Sequence, residues 1–456
     1  AKYPAVVGFA LPGTDLSNAG RTHGTVHPDR RATPGEPNGP AYDGLVADTT
    51  FSADRGFYDG ALTVSLGTQT PGAVIRYTTN RSEPTASLGL IYTAPLEITR
   101  TTVLRAAAFR EGWAPTDVDT QTYVFPADII ASSVMRTAIT QNPVYKPQMR
   151  PALLDLPSVS LTTARAINGT SEVKASMEWL RPDGQPGFQE PCGVRHFGGA
   201  FTDFAKKNFR IYFRSEYGAP KLRYPIFDGD DRGVSPAREY DSLELRSGSH
   251  DMEQRGFYLS NIFTDDTLLE MGRLNPHGRF VHLYLNGTYW GLFHLRERWG
   301  AAMHQEYLGG SRTNYESING NWNVGGWAEP GTAYDGDGST WARIKGFRGS
   351  YDSVRPWLDV PQYVDFMLMW MFGGSEDEYR CTGPTVPGSG FQFYLNDADG
   401  WFCVPNYCAA DNRTGRGAPG RSGGDGPGSI FSMLHKEANP EYRILLADEI
   451  HRNFFN

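Results

Sequence analysis

The segment RFVHLYLNGTYWGLFHLRERW, residues 279–299, constrains the fold more than any other part of the chain. Asn286-Gly287 lies between two apolar runs, and this dipeptide favours a two-residue type I′ turn because both positions need positive φ. Strand alternation about that turn predicts two faces, both largely apolar, so we expect a buried hairpin. The predicted first face is Val281, Leu283, Leu285, Trp290, Leu292 and His294, and the second is His282, Tyr284, Tyr289, Phe293 and Leu295.

Upstream, residues 51–125 read as a run of short strands. Segments such as ALTVSL, AVIRYTT and TVLRAAAF alternate and are separated by turn residues about every ten positions, which predicts a small antiparallel β-sandwich. Residues 1–50 are rich in Pro and Gly and are interpreted as a linker or the tail of an upstream domain. Residues 126–152 are interpreted as a connector.

Residues 153–456 mix strands and helices, so the predicted fold class is a multidomain α+β protein. VPQYVDFMLMWMFGG reads as a core helix, GFQFYLN as a strand, and the polar stretch 319–341 as a long surface loop. With 456 residues, the chain is long enough for two or three domains.

Composition excludes some function classes. A net charge of −8 argues against a nucleic-acid partner, because phosphate binding needs clustered Lys and Arg. The sequence contains no run of about 18 apolar residues, so it predicts no membrane-spanning helix. The start at Ala1 without Met indicates a processed or incomplete N-terminus. The four cysteines (Cys192, Cys381, Cys403 and Cys408) do not have the spacing of a zinc site. The sequence is compatible with one disulfide and equally with buried free thiols.

Two stretches carry family resemblances. FSADRGFYDGALTVSLGTQTPGAVIRYTTNRSEPT, with the strands after it, resembles the chitobiase/β-hexosaminidase C-terminal-type module. In its turn, Asn80 and Arg81 stand where that family has Asp-Gly, and we expect the Asn80 side chain to bind nearby amides. The end of 1–50 resembles the closing segment of a lamin-tail-like domain.

The second resemblance covers residues 150–456. KKNFRIYFRSEYG, YDSLELRSGSHDM, HLYLNGTYWGLFHLRERW, WMFGGSEDEY and GFQFYLNDADGW follow one another as in the CotH (spore-coat protein H) kinase family. This resemblance implies an atypical protein-kinase-like α+β domain. It further implies use of ATP with Mg²⁺ or Mn²⁺, phosphoryl transfer to Ser/Thr of an extracellular protein, and location outside the cell or in the bacterial envelope.

The resemblance also implies site residues, and phosphoryl transfer needs a cation on the phosphates, acidic metal ligands and a carboxylate at the hydroxyl. Lys207, with Lys206 beside it, matches the phosphate-contacting lysine, and strand alternation lets only one of the two point inward. Glu297 matches a glutamate of the nucleotide site, with a surface ion pair to a neighbouring Arg as the alternative. Asp377 matches the catalytic carboxylate and a metal ligand, with an ordinary solvated turn as the alternative.

The sequence departs from the family after residue 400. The expected Trp-Asp-x-Asp element is absent from FCVPNYCAADNRTGRG, and Asp411 is the nearest acidic residue for the metal site. A catalytically inactive structural or adhesive protein is therefore an open alternative. Binding to polysaccharide is a further one, because Trp322, Trp327 and Trp341 could stack on sugars.

Overall fold

The computed structural model describes residues 42–198, 204–248, 258–321, 332–345, 347, 349–373, 378–396, 398 and 427–455. The chain forms two compact units. Within the described residues, the first unit comprises 42–164, 175–191 and 282–290, and the second comprises 165–174, 192–281 and 291–455.

The N-terminal part of the first unit is a β-rich module, as the short alternating segments predict. Its core contains the fully buried Val64, Leu104, Ala106 and Tyr123. The strands are β1 (Thr49–Phe51), β2 (Gly56–Phe57), β3 (Leu62–Val64), β4 (Leu66–Thr68), β5 (Val74–Thr78), β6 (Leu90–Ile91), β7 (Leu96–Ile98), β8 (Thr102–Phe109) and β9 (Asp119–Val124).

These strands form a five-stranded sheet in the order β2-β9-β8-β5-β6 and two small two-stranded sheets, β1-β4 and β3-β7. All the pairings are antiparallel except that of β2 with β9, which is parallel. In the turn after β5, Asn80 Oδ1 accepts a hydrogen bond from the Ser82 backbone N at 3.2 Å. This bond confirms the capping role predicted for Asn80.

The segment after the module contains short helices. They are α1 (Pro126–Ala131), α2 (Thr137–Thr140), a 3₁₀ turn (Lys146–Gln148) and α3 (Met149–Asp155). Ile129 of α1 and Leu153 of α3 are buried with Val124, Leu180 and Tyr284 in one small cluster. This cluster explains why the connector folds although it has few periodic apolar residues.

The strands that follow are β10 (Ser158–Thr162), β11 (Val173–Leu180), β12 (Gln189–Phe197), β13 (Asn208–Tyr212), β14 (Leu222–Arg223), β15 (Glu239–Tyr240), β16 (Ser242–Arg246), β17 (Gly278–Leu285) and β18 (Thr288–Glu297). In the first unit, β10 pairs antiparallel with β11 and parallel with the end of β17. In the second unit, β13 lies antiparallel to both β12 and β16, and β16 lies antiparallel to β18.

The turn between β17 and β18 has the predicted form, because Asn286 (φ 53°) and Gly287 (φ 77°) both have positive φ. The predicted face of His294 is wrong. A Cβ on Gly278 would lie 2.5 Å from the His294 ring, so His294 lies on the face of Gly278 and not on that of Val281. Gly291, at φ 113°, lies between the turn and His294, where such a shift in register can be accommodated.

The remaining elements of the second unit are α4 (Ser260–Glu270), α5 (Ala301–Leu308), a 3₁₀ turn (Arg312–Asn314), β19 (Tyr315–Asn321), β20 (Thr332–Asp335), α6 (Ser339–Ile344), α7 (Tyr351–Val354), α8 (Val360–Gly373), β21 (Glu378–Pro384), β22 (Gln392–Asn396), α9 (Pro427–Glu437) and α10 (Pro440–Phe454). Four of the strands form a sheet in the order β20-β19-β21-β22. Helix α8 packs in the core of this unit through Tyr363, Phe366, Met367 and Trp370, which confirms the predicted core helix.

The stretch 319–341 is not one long loop, because its described residues include the end of β19, β20 and the start of α6. Trp341 in α6 is 1% exposed and packs against Tyr379, Phe391 and Phe393. It is a core residue and presents no surface for stacking on a sugar. Trp322 and Trp327 lie outside the described residues.

Candidate functional site

Lys206 lies just before β13 and is held by backbone carbonyls. Its ammonium donates hydrogen bonds to Ser247 O at 2.9 Å and Leu292 O at 2.5 Å. The same Nζ lies 4.5 Å from the centroid of the Phe293 ring and 5.9 Å from that of Tyr258. Carbonyl dipoles and ring faces both favour a cation at this position.

Burial lowers the pKa of Lys206 to about 8. The ammonium is therefore still protonated at neutral pH, although desolvation makes its charge less favourable. An ammonium has three N–H donors, and the two carbonyls use two of them. The described residues provide no acceptor for the third, so it can donate to a further group such as a phosphate oxygen.

Lys207 follows directly and is partly buried. Of the two adjacent lysines, Lys206 is the one whose ammonium contacts β18, at Leu292 O. The phosphate-contacting role assigned to Lys207 stays a prediction.

Glu297 ends β18 and is 3% exposed. Its carboxyl accepts a hydrogen bond from the His277 backbone N at 2.9 Å and from the Tyr307 hydroxyl, which lies 2.9 Å from each oxygen. Burial raises its pKa to about 8, although these two bonds oppose that effect. The alternative of a surface ion pair with a neighbouring Arg is wrong for this carboxyl.

The residue that donates its backbone N–H to Glu297 also has a fixed side chain. His277 is fully buried, with Nδ1 2.8 Å from Asp230 Oδ2 and Nε2 2.7 Å from Val234 O. Both ring nitrogens face oxygen acceptors, which fixes the orientation of the ring. Although burial opposes it, bonds from Arg232 and His277 hold the pKa of Asp230 at about 2.

A buried ion network lies on the strand next to β18. Glu244 of β16 accepts from Arg210 Nε at 3.0 Å and from Arg296 Nη2 at 3.1 Å. Arg296 also reaches Asp265 of α4 at 3.1 Å, and Asp265 accepts from Asn275 at 2.7 Å. Burial alone would raise the pKa of Glu244, but the surrounding guanidinium groups hold it at about 2.

The predicted site residues are only partly brought together. Lys206 contacts β18 at Leu292, and Glu297 lies five residues further along the same strand. At ~3.3 Å per residue, the backbone positions of Leu292 and Glu297 are about 17 Å apart. The two groups therefore do not form an ion pair. Asp377 and Asp411 lie outside the described residues, as do Cys403 and Cys408.

Within the described ranges, no group of three His, Cys, Asp or Glu side chains is placed to hold a metal ion. Cys381 is a buried free thiol, and Cys192 is also buried. None of the described helices combines the length and apolar character that a bilayer crossing needs.

Three residues of this region were not identified from sequence: Tyr307, Glu244 and Asp265. For Glu244 a signal existed, because it lies between Leu243 and Leu245 in a strand that reads as buried. Tyr307 and Asp265 carry no comparable signal, because neither lies between two apolar residues of a strand that reads as buried.

Comparison with family models agrees with both resemblances. Residues 53–120 match the chitobiase/beta-hexosaminidase C-terminal domain, and residues 194–339 match the CotH kinase protein. A search of curated proteins finds no match. Lys206, Lys207 and Glu297 all fall within the second matched range, whereas Asp377 and Asp411 lie beyond it. The chain thus matches the chitobiase-type C-terminal domain model first and the CotH family model after it, in the predicted order.

Proposed function

We propose that this protein is a CotH-type protein kinase that acts in the extracellular space or the cell envelope. Its CotH region would adopt a protein-kinase-like fold and transfer the γ-phosphoryl group of ATP to Ser or Thr of a protein partner. The observation that supports the proposal is the Lys206 ammonium, which lies within the CotH match and has one N–H without an acceptor in the part of the chain that the structure describes.

The contacts described for Lys206 leave its charge for a bound phosphate, because they include no carboxylate of the protein. Its two bonds go to neutral carbonyls, so its positive charge is not already compensated by an acidic side chain among those contacts. Partial burial strengthens its attraction to an anion, because the effective dielectric constant is lower than in water. An incoming phosphate would also favour the protonated form of the amine.

In the proposed reaction, the substrate hydroxyl oxygen bonds to the γ-phosphorus while the bond from that phosphorus to the β–γ bridging oxygen breaks, releasing ADP. The hydroxyl proton passes to Asp377, as in the phosphoryl-transfer scheme of protein kinases. ATP supplies the phosphoryl group, and Mg²⁺ or Mn²⁺ held by Asp377 and Asp411 would neutralise charge on it. Lys206 orients the phosphates.

The test measures ATP binding by the full chain with Mg²⁺ or Mn²⁺ and phosphate transfer to a protein acceptor. We expect Lys206→Met to weaken ATP binding at least tenfold, with the exposed Lys146→Met as the control for loss of a lysine charge. Lys207→Met tests separately the phosphate contact predicted for Lys207. Binding to the wild type should weaken as the pH rises through about 8, because the Lys206 ammonium then loses its proton. Asp377→Ala should abolish transfer and weaken the metal-dependent part of ATP binding, since the proposal gives Asp377 a role at the hydroxyl and at the metal.

Two results would overturn the kinase proposal. ATP binding without transfer would make the protein a nucleotide-binding but inactive member of the fold. The absence of ATP binding with either metal would leave a structural or adhesive role.

A further inference from the structure

Two aromatic rings lie against the Lys206 ammonium, and they differ in exposure. Phe293, whose ring centroid is 4.5 Å from the Lys206 Nζ, is fully buried. Tyr258, whose ring centroid is 5.9 Å from the same Nζ, is partly exposed. Of the two rings, Tyr258 is therefore the one that meets solvent, and its position decides how closely water can approach the ammonium from that side.

Three features of the fold fix the Tyr258 ring. Its hydroxyl donates a hydrogen bond to Arg246 O at 3.1 Å. Its ring packs edge-on against Phe280, with the two centroids 5.5 Å apart. A Cβ on Gly248 would overlap the ring, and Gly248 has φ 66°, so both the space and the backbone conformation require glycine there.

The segment 246–248 that holds Tyr258 also holds Lys206. Ser247 O accepts one of the two hydrogen bonds from the Lys206 ammonium, at 2.9 Å. Ser247 is fixed in turn by Asn208 Oδ1, which accepts from the Ser247 backbone N at 2.7 Å and from the Ser247 hydroxyl at 2.9 Å. Because one short segment binds both side chains, the ring and the ammonium are positioned together.

Burial affects the Lys206 amine more than these favourable contacts do. Carbonyl oxygens and ring faces favour the charged form, yet the pKa of Lys206 is lowered from 10.5 to about 8. Burial is the cause, rather than the charge of a titratable neighbour in the chain such as Lys207, Arg246 or His294. A change that lets water reach the ammonium should therefore raise this pKa, even if it also removes a ring contact.

We infer that Tyr258 is a positioning residue, whose ring keeps water from the Lys206 ammonium so that the ammonium donates to an anionic oxygen of a ligand. An ammonium that is shielded from water attracts an anion more strongly, because the effective dielectric constant around it is lower. Tyr258 acts through Lys206 and needs no contact with the ligand. That the anion is a phosphate of ATP rests on the proposed function, whereas the effect of the ring on the amine does not.

The test measures how acetylation of Lys206 in the full chain depends on pH. Brief labelling with acetic anhydride between pH 6 and 11, beside a reference amine, modifies only the deprotonated amine, and fragment masses separate Lys206 from Lys207. We expect the labelling midpoint of the wild type near pH 8. Tyr258→Ala should raise this midpoint by about one pH unit or more, because the amine regains water.

Three further variants separate the ring from other effects of substitution. Tyr258→Phe keeps the ring and its packing on Phe280, so its labelling midpoint should stay close to that of the wild type. Tyr145→Ala is the matched control, because it removes a tyrosine ring that is 50% exposed in the first unit. Phe280→Ala covers the case in which Tyr258→Ala fails to fold: it removes the ring that supports Tyr258 and should raise the midpoint in the same direction, by less.

ATP binding gives a second readout that separates this inference from the kinase proposal. If Lys206 contacts the phosphates, the pH above which ATP binding weakens should rise in Tyr258→Ala together with the labelling midpoint. A raised midpoint without ATP binding by any variant would support the role of Tyr258 and reject ATP as the ligand. A Tyr258→Ala midpoint at or below that of the wild type, or an equal rise in Tyr145→Ala, would overturn the inference.

Discussion

Replacing Glu297 with glutamine tests whether this buried carboxyl is neutral. The folded protein raises the pKa of Glu297 from 4.5 to about 8, because burial outweighs the bonds from His277 and Tyr307. The folded state therefore holds this proton more tightly than the unfolded state. Its contribution to stability is complete below pH 4.5 and is lost as the pH rises through about 8.

The magnitude follows from the two pKa values. Each pH unit between them carries ~1.4 kcal/mol, so ionising Glu297 costs on the order of 3–5 kcal/mol between pH 4.5 and 8. Glutamine resembles the protonated carboxyl in shape and does not ionise. The free energy of unfolding of Glu297→Gln should therefore not fall between pH 4.5 and 8. As the pH rises through this range, the variant should become more stable relative to the wild type.

Amide hydrogen exchange of β18 peptides at pH 5, 7 and 9, corrected for intrinsic exchange rates, reports this local stability. Glu239→Gln is the matched control, because its carboxyl is partly exposed and paired with Arg223. We expect the control to follow the wild type at each pH. A difference between wild type and Glu297→Gln that is constant with pH, or that favours the wild type more at pH 9, would refute the assignment.

Three further substitutions test the packing. Arg81→Gly should raise the free energy of unfolding of the chitobiase-type module by roughly 0.5–1 kcal/mol, because Arg81 has φ 67°; a lower melting temperature would contradict this. Gly278→Ala should destabilise the second unit by roughly 1–3 kcal/mol in urea unfolding, since the new Cβ would lie 2.5 Å from His294, whereas Gly388→Ala, with open space around it, should be nearly neutral. Arg296→Met should cost about 3–5 kcal/mol in the same assay by leaving Glu244 and Asp265 uncompensated, and a loss no greater than that of the exposed Arg312→Gln would argue against a buried network.

Local signals in the sequence were enough to predict several elements. The Asn286-Gly287 turn, the core helix α8 and the Asn80 turn all depend on residues close together in the chain. The two family resemblances and their order also follow from the sequence. Each of these features is encoded by spacing or by a local backbone preference, which a sequence displays directly.

Other features depend on contacts between distant segments. Strand alternation placed His294 on the wrong face because pairing shifts by one residue between the turn and Glu297, whose N–H bonds to His277 O. Loop-like composition did not predict β20, and Trp341 fills a core that its neighbours in sequence do not reveal.

The sequence by itself determined the order of the two domains, the hairpin turn and the residue types available for a site. Only the tertiary structure decided that Lys206 is held by two carbonyls and that Glu297 is buried with Tyr307. The physical reason is that the charge state and reactivity of a side chain depend on its desolvation and on its neighbours. Those neighbours come from other segments of the chain, such as Tyr307 for Glu297 and Ser247 and Leu292 for Lys206.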